Sequence, residues 1–260
     1  MFDLASFQQH LSTLQLGRRV WLYHRLPSTS GWLQEISGNR LSHGLICLAD
    51  DQTGGKGQFG RSWISEPGAN LTFTLVLRPR TNVAIQLYSM VAMQALKQAA
   101  EQLCGQECFI KWPNDLLIRG KKVAGLLTEC RYNGRQLDRM LLGLGVNVNQ
   151  VHFDDQMAPG ATSLMVVSGG KAVDRPTLLA TFLNELEPLL VRAAYPDKAL
   201  LGAINRSIIG YGIWTTISVD GTPSGSKAKI LGIDQNGYLV VLTGEDVVRT
   251  FRHEQVRIIL

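Results

Sequence analysis

The sequence predicts an α+β fold in two unequal parts, a large domain that combines helices with a sheet and a small tail built of strands. Apolar residues recur at helical spacing over residues 84–104 and again from about 176 to 194, which predicts two long helices. Between them, residues 108–149 show the pattern of several strands. From residue 213 onward the pattern is one of short strands. Strands and helices grouped in this way are typical of α+β proteins.

The first part of the large domain reads as short elements. Residues 20–26 predict a strand, and residues 29–37 predict a short helix for which Ser28 or Thr29 supplies the N-cap. Residues 70–78 alternate like a half-buried strand, with apolar side chains on one side and mostly polar groups on the other.

Turn residues divide the later strands. The strands are predicted over residues 108–112, 115–119, 122–131 and 136–149. Arg119-Gly120-Lys121 supplies one turn, and Asn133-Gly134 is a strong signal for a type I′ hairpin.

We place the boundary between the two domains near residues 205–212, after a further helix predicted near Ala199. A tail of about 50 residues with short strands predicts a small β-barrel, too small to hold an enzyme site alone. The predicted domains are residues 1–208, which include a short N-terminal extension over residues 1–20, and residues 209–260.

Composition limits the class of protein. Of its 260 residues, 45% are hydrophobic and 18% are charged, which is typical of an ordinary folded chain rather than a disordered one. No segment reaches the roughly 20 uncharged apolar residues that span a bilayer, and the first residues lack the order of a secretory signal. The sequence therefore predicts a cytoplasmic protein with no membrane partner. A net charge of +5 without a long basic run gives weak support for nucleic-acid binding, and none is predicted.

The four cysteines, Cys47, Cys104, Cys108 and Cys130, lie in or beside apolar segments. The spacing of Cys104 and Cys108 suggests a metal pair, but no second Cys/His pair completes a zinc set. Buried free thiols are the better interpretation.

A glycine-rich loop is the first candidate for a ligand site. It follows a strand predicted over residues 45–49 and occupies residues 52–63, where four glycines fall within seven residues. Each glycine would cost a regular element about 0.5–1 kcal/mol relative to alanine. Uncovered backbone amides, with Lys56 and Arg61 beside them, can wrap a phosphate or a carboxylate. A mobile surface loop with solvated charges is the alternative.

Lys111-Trp112-Pro113-Asn114-Asp115 is the second candidate. Pro113 ends the strand that carries Lys111, because proline donates no hydrogen bond, and Asn114 and Asp115 then stand at a turn. Asp115 offers a carboxylate for Mg²⁺, and Lys111 offers a point charge for a phosphate. A plain hairpin corner is the alternative.

Two further segments combine small residues with a polar group. Lys122 begins an apolar strand in which Gly125 permits the close approach of a ligand. Residues 143–147 combine two glycines with Asn147, whose amide can contact ribose or phosphate. A solvated lysine and a strand made narrow for packing are the alternatives.

Together these motifs resemble those of biotin protein ligases. They occur in the order and approximate spacing of that family, and an ordered set is far more specific than any one motif. The resemblance covers the chain from about residue 21 to the C-terminus. The motifs are Ser28-Thr29-Ser30, the loop from Gln52 to Trp63, Gly68-Ala69-Asn70-Leu71, Lys111 to Asp115, Lys122-Val123-Ala124-Gly125 and Gly143 to Asn147.

The resemblance implies a catalytic domain with a mixed sheet and flanking helices, similar to class II aminoacyl-tRNA synthetases and lipoate ligases, followed by an SH3-like barrel. It also implies that the carboxylate of biotin attacks the α-phosphate of Mg·ATP to give biotinyl-5′-AMP, and that an acceptor lysine then displaces AMP. Biotin is thus the expected substrate, ATP with Mg²⁺ the co-substrate, and the biotin acceptor domain of a carboxylase the partner. The oligomeric state is left open, a homodimer included.

The same resemblance implies roles for individual positions. Lys122 is expected beside the carboxylate and the α-phosphate, Asp115 to hold the metal or orient the amine, and Lys111 and Arg61 to complete the catalytic set. The loop is expected to fold over the intermediate and exclude water. The expected biotin-binding residues are Ser28, Thr29, Ser30, Gln52, Gly55, Lys56, Gly57, Gln58, Lys122 and Gly125. The expected ATP-binding residues are Lys56, Arg61, Trp63, Asn114, Lys122 and Asn147.

The loop departs from the pattern of the family. That pattern usually reads Gly-Arg-Gly-Arg-Arg-Gly-Arg, whereas residues 55–61 read Gly-Lys-Gly-Gln-Phe-Gly-Arg. Lys56 lacks the bidentate geometry of arginine, Gln58 lacks the charge, and Ser30 replaces the usual Asn of Ser-Thr-Asn. These changes keep open a sensor that binds biotin or its adenylate without turnover. Lipoate or octanoate ligation on the related fold is the enzyme alternative.

Some members of the family carry an N-terminal winged helix that represses transcription. Only about 20 residues precede the predicted catalytic domain here, so no DNA-binding domain is expected.

Overall fold

The computed structural model describes residues 1–79, 84–154, 158–195, 197–220 and 222–259, so Gly221 and Leu260 of the predicted tail lie outside the described residues. The helices are α1 (Leu4–His10), α2 (Thr29–Glu35), α3 (Ile85–Cys104), α4 (Leu164–Val167), α5 (Arg175–Ala193) and α6 (Lys198–Ser207). The strands are β1 (Val20–Leu26), β2 (Ile46–Gln52), β3 (Gly55–Lys56), β4 (Ser62–Trp63), β5 (Leu71–Leu77), β6 (Phe109–Lys111), β7 (Asp115–Ile118), β8 (Lys121–Asn133), β9 (Gln136–Val146), β10 (Trp214–Val219), β11 (Thr222–Ile233), β12 (Leu239–Thr243), β13 (Val248–Phe251) and β14 (Val256–Ile259).

Seven strands form the larger sheet, in the order β1-β2-β5-β9-β8-β7-β6. β1 pairs with β2 in parallel, and every other neighbouring pair is antiparallel. The sheet is therefore mixed. The predicted α+β class, with helices flanking a mixed sheet, is confirmed.

Helices cover both faces of this sheet. Successive side chains of a strand point to opposite faces, and in β2 Ile46 and Leu48 belong to the main core with α3 and α5. Cys47 and Ala49 pack instead with Leu33 of α2. α3 and α5 also pack against each other, and α1 packs on α5. The result is three layers, with α2 on the face opposite the long helices.

β5 differs from the half-buried strand that the sequence predicts. All of its residues are buried, because the layers on both sides cover it. Phe73 and Leu75 face the main core. The polar residues that alternate with them, Thr72 and Thr74, are also buried, and Thr72 Oγ1 donates to Ala49 O at 2.7 Å. The polar side of this strand therefore faces an interior layer, not the solvent.

β2 runs on to Gln52, beyond the end predicted at residue 49. Two ion pairs allow this. Asp50 Oδ1 lies 2.9 Å from Arg175 Nη1, and Asp51 Oδ2 lies 2.6 Å from Arg25 Nε. A buried carboxylate needs a cationic partner. Because both aspartates have an arginine partner, the strand continues through two acidic residues that the sequence pattern assigns to a loop.

The hairpin between β8 and β9 turns one residue later than predicted. Asn133 pairs with Gln136, so the central residues are Gly134 and Arg135. Of these two only Gly134 has a positive φ, at 58°. A positive φ at the first central residue alone fits a type II′ turn, so the predicted type I′ turn is wrong.

All four cysteines are free thiols, and Cys47, Cys104 and Cys108 are buried. A hydrogen bond from Cys108 lowers the pKa of Cys104 to about 7, while the pKa of Cys108 is raised by the same bond and by burial. Burial raises the pKa of Cys47 to about 12. Buried free thiols are thus what the structure shows at these three positions.

The strands after α6 form a second sheet, in the order β13-β12-β11-β10-β14, and all its pairs are antiparallel. Its edge strands β13 and β14 do not pair with each other in the described residues, so the predicted barrel is present as an antiparallel sheet. The sheet contacts the large domain where Trp112 Nε1 donates to Gly237 O at 3.1 Å. Glycine is required at 237, where φ is 82° and a Cβ would lie 2.5 Å from Leu87 N of α3.

The predicted boundary after residue 208 falls in the link between α6, which ends at Ser207, and β10, which begins at Trp214. The division of the chain into two domains at that point stays a prediction. None of the helices in the described ranges combines the length and the apolar character needed to cross a membrane.

Candidate active site

A cavity of about 60 Å³ opens on the α2 face of the larger sheet. Its walls are the N-terminus of α2, the loop after β2, and the strands β5, β8 and β9. Of the residues predicted to bind a ligand, it brings together Ser28, Thr29, Ser30, Gln52, Lys56, Gly57, Gln58, Trp63, Asn114, Lys122 and Gly125. The other lining residues are Phe73, Thr74, Leu126, Leu127, Gly143, Leu144 and Gly145.

Hydroxyl groups at the start of α2 form a buried polar wall. Ser28 is the N-cap of the helix, as predicted, and its Oγ lies 3.3 Å from Ser30 Oγ. Thr29 donates from its backbone N and its Oγ1 to Gln52 Oε1, at 2.7 and 2.9 Å. Because a hydroxyl has one proton, Thr74 Oγ1 must be the donor in its 2.9 Å contact with Thr29 Oγ1. The network fixes these groups before any ligand binds.

The glycine-rich loop covers the cavity as a short hairpin. Gly55–Lys56 and Ser62–Trp63 pair as two antiparallel strands, and a turn at Gln58–Gly60 joins them. A Cβ on residue 55 would lie 2.5 Å from Trp63 O, so only glycine lets the two strands approach. The sequence predicts an irregular loop, but the loop contains a short antiparallel ladder of two residue pairs.

The indole of Trp63 reaches from the loop into the cavity. Its ring lies directly on the backbone of β9, where a Cβ on Gly145 would overlap it, and it lies 3.4 Å from the position of a Cβ on Gly125. Its Nε1 is buried and has no hydrogen-bond partner among the described residues. A buried N–H without an acceptor is costly, so this group is a donor available to a ligand.

Lys122 and Asp115 form an ion pair beside the cavity, with 2.6 Å between Nζ and Oδ1. They lie on β8 and β7, where Asp115 is paired with Gly125 in the ladder. Lys122 Nζ is 5.7 Å from the centre of the Trp63 ring and 3.2 Å from the position of a Cβ on residue 125. The absence of a side chain at Gly125 thus leaves room for the ammonium group at the cavity.

Five predicted site residues do not line the cavity: Gly55, Arg61, Lys111, Asp115 and Asn147. Gly55 pairs with the lining residue Trp63, and Asp115 forms an ion pair with the lining residue Lys122. Arg61 is exposed on the loop, and Lys111 ends β6. Asn147 is buried, and its Nδ2 donates to Thr162 O at 3.0 Å, a contact that stabilises the fold.

Sequence reasoning missed the two lining residues of β5, Phe73 and Thr74. The signal was present in Thr74, a polar residue in the apolar segment Leu71–Leu77. The alternating pattern predicts that this side of the strand faces solvent. A hydroxyl that is 0% exposed and bonded to Thr29 belongs to the site instead.

Asp115 is the carboxylate predicted to hold Mg²⁺. In the described parts of the chain no group of three His, Cys, Asp or Glu side chains could hold a metal ion. Mg²⁺ is often bound by one or two carboxylates together with the phosphates of a nucleotide. Asp115 is one carboxylate of this kind, so it fits a Mg²⁺ ion whose other ligands come from a bound phosphate compound.

Comparison with known proteins places this geometry in a family. The sequence pattern of the Biotin/lipoate A/B protein ligase family matches residues 22–147. The bifunctional ligase/repressor BirA of Bacillus subtilis is 32% identical over 250 residues, which cover 93% of this chain and 74% of that protein. The chain belongs to the biotin protein ligases.

Other biotin protein ligases give the same result. The biotin–[acetyl-CoA-carboxylase] ligase of Paracoccus denitrificans is 39% identical over 157 residues, 58% of this chain and 63% of that protein. Among solved structures, the biotin protein ligase of Aquifex aeolicus in complex with biotin and ATP superposes with a TM-score of 0.79 and 26% identity. That superposition covers 93% of this chain and 100% of the other.

Proposed function

We propose that this chain is an ATP-dependent biotin protein ligase, which forms biotinyl-5′-AMP and transfers biotin to a lysine in the biotin carrier domain of a carboxylase. The observation that carries the proposal is a single cavity with one wall of uncharged polar groups and another wall that bears a positive charge. Buried hydroxyls and an amide lie on one wall, and the Lys122 ammonium lies on another. Membership of the biotin protein ligases supports the same reaction.

The hydroxyl wall suits the ring end of biotin. A ureido group offers one carbonyl acceptor and two N–H donors, and hydroxyls can both donate and accept. Ser28 and Thr29 are the groups we assign to it, with Gln52 holding Thr29 in place. Leu127 and the Trp63 ring, which line the same cavity, supply apolar contact for the biotin ring and its chain.

The charged wall suits the reacting end. An anionic carboxylate attacks an anionic phosphate slowly unless a cation stabilises the charge that develops between them. Lys122 is the cation we assign to that role, and its pairing with Asp115 holds the ammonium group at the cavity. Lys56 lines the cavity from the loop side and adds a second positive charge.

In the second step the amine of the acceptor lysine displaces AMP. Asp115, beside Lys122, is the group we assign to orient that amine. Asp115 is the residue of this chain that would hold the Mg²⁺ of the ATP substrate, and the ion would neutralise charge on the phosphates. The hairpin of the loop and the Trp63 ring exclude water, which would otherwise hydrolyse the mixed anhydride.

The test is a transfer assay with the purified chain, Mg·ATP, labelled biotin and a biotin carrier domain. Label on the acceptor lysine, absent when that lysine is replaced by arginine, is the expected result. The proposal is overturned if the folded protein transfers no label, releases no pyrophosphate and does not bind biotin tightly.

Two alternatives are separate outcomes of the same assay. Tight biotin binding without pyrophosphate release identifies a sensor, for which the loop with Lys56 and Gln58 is the motivation. Faster transfer of lipoate or octanoate to its own acceptor domain, run in parallel, identifies the related ligase activity.

A further inference from the structure

We infer that Arg257, on the last strand of the C-terminal sheet, is a positioning residue that holds the glycine-rich loop closed by stacking on Phe59. The inference rests on the proposed function, because the loop is there the cover of the adenylate. It gives a residue far from the loop in sequence a role in positioning the loop.

The contact itself is close. The Cζ of Arg257 lies 4.4 Å from the centre of the Phe59 ring. A cation within about 6 Å of a ring centre, over its face, is attracted by the electron-rich face of the ring. This is the shortest of the three cation–π contacts in the described residues, the others being 5.6 and 5.7 Å.

Phe59 needs a partner outside the loop. It lies at the tip of the hairpin, the residue is 63% exposed, and its φ is +57°. A bulky residue in the left-handed region is strained unless other contacts maintain it. The loop gives the ring no buried pocket, so the stack on Arg257 is the contact that can hold this conformation.

Arg257 is fixed before it meets the loop. β14 pairs with β10, with Arg257 opposite Ser218. Its Nη1 donates to Val256 O at 2.7 Å and also to His253 O. The guanidinium group is therefore held by the backbone of its own sheet, and its flat face remains for the Phe59 ring.

Charge links the contact to the site. Burial lowers the pKa of Arg257, and the positive charge of Arg61 lowers it further, while the carboxylates of Glu254 and Asp115 act in the opposite direction. The positive charges of Arg257 and Arg61 therefore repel each other, and the two carboxylates offset part of this repulsion. A phosphate bound beside the two arginines would lessen this repulsion, so we expect the loop to close most firmly when the adenylate or its precursor is bound.

The experiment compares Arg257→Ala, Arg257→Lys, Phe59→Ala and the double alanine variant with the unchanged protein. Arg252→Ala is the matched control, because Arg252 stacks on Tyr238 at 5.6 Å within the same sheet. The first measurement is limited trypsin digestion of the ligand-free protein, followed at Lys56 and Arg61 in the loop. The second is the rate at which preformed biotinyl-5′-AMP leaves the enzyme.

We expect both single alanine variants to be cut faster in the loop and to release the adenylate about three- to thirtyfold faster, the range that one cation–π contact supports. Arg257→Lys retains part of the effect, and the double variant is no worse than either single one. Arg252→Ala behaves like the unchanged protein. An Arg257→Ala protein that matches Arg252→Ala, or a double variant whose effect is the product of the two single effects, overturns the inference.

The two proposals fail in different ways. If the unchanged protein makes no biotinyl-5′-AMP, the proposed function fails, and the trypsin digestion still decides whether Arg257 holds the loop. If Arg257→Ala does not fold, Phe59→Ala carries the test, because its side chain is at an exposed loop tip.

Discussion

The wall of the cavity and the loop that covers it are held in different ways. In the wall, Ser28, Thr29 and Thr74 are buried. The Thr29 hydroxyl is hydrogen-bonded to Gln52 and to Thr74, and the Ser28 hydroxyl accepts from the backbone N of Gly31. The loop is an exposed hairpin with two ladder pairs. A buried hydrogen bond contributes about 1 kcal/mol, whereas an isolated two-stranded hairpin is marginally stable at best.

The wall and the loop are therefore expected to serve different functions in the site. A change in the wall alters stability and ligand binding together, because the same bonds serve both. A change in the loop alters closure and retention of the intermediate and leaves the core intact. The predictions below test that division, from the largest expected effect to the smallest.

Lys122→Ala separates chemistry from folding most sharply. Loss of the ammonium group is expected to lower the rate of adenylation by about 10²- to 10³-fold, the effect of removing one charge-stabilising group. Stability is expected to change by less than about 1 kcal/mol, because the pair with Asp115 is partly exposed. ATP–pyrophosphate exchange and thermal unfolding measure the two quantities.

Lys121→Ala is the matched control for that variant. Lys121 is the exposed neighbour of Lys122 on β8, and successive residues of a strand face opposite ways. Its exchange rate is expected to stay that of the unchanged protein. A normal rate in Lys122→Ala would show that another group stabilises the charge.

Gly145→Ala tests the meeting point of wall and loop. A methyl group there would overlap the Trp63 ring, so the ring and the hairpin that carries it must move away. Adenylation is expected to fall about ten- to hundredfold, the cost of a displacement of about 1 Å in an active site. The rate of exchange and trypsin cleavage in the loop measure the effect.

Gly143→Ala, on the same strand, is the control. Its Cβ would lie 3.5 Å or more from every neighbour, in ordinary contact. Trypsin cleavage of the loop is expected to be unchanged in this variant. Equal cleavage in the two variants would mean that the Trp63 ring does not depend on the open space over Gly145.

The sequence predicts the wall better than the loop, and the reason is physical. The N-cap at Ser28 and the strand that presents Lys122 follow from local patterns, and the structure contains both. The hairpin within residues 55–63 does not follow, because its ladder depends on the contact of Gly55 with Trp63 across the loop. Glycine content alone indicates only the absence of a regular element.

Long-range partners account for the remaining differences. β2 extends through Asp50 because Arg175, 125 positions away, supplies its charge. Thr74 is part of the wall because α2 covers that face of β5. Arg257 reaches Phe59 from the far end of the chain. No window of local sequence contains these pairs, so periodicity and motif spacing did not indicate them.

Ser28→Ala is the mildest test and concerns the wall alone. The variant loses the N-cap of α2, which costs about 1 kcal/mol and lowers the melting temperature by about 3 °C. It also loses a hydroxyl of the cavity, so the Kd for biotin is expected to rise about tenfold, as for one hydrogen bond. Calorimetry of unfolding and of biotin binding measures the two effects.

Asp3→Ala separates the loss of a cap from the loss of a cavity group. Asp3 is the N-cap of α1 and accepts from Ser6 N at 3.0 Å, in an exposed position. Its removal is expected to lower the melting temperature by a similar amount and to leave biotin binding unchanged. If both variants bound biotin equally well, Ser28 would serve only its helix. The hydroxyl wall would then begin at Thr29, whose two bonds to Gln52 do not depend on the cap.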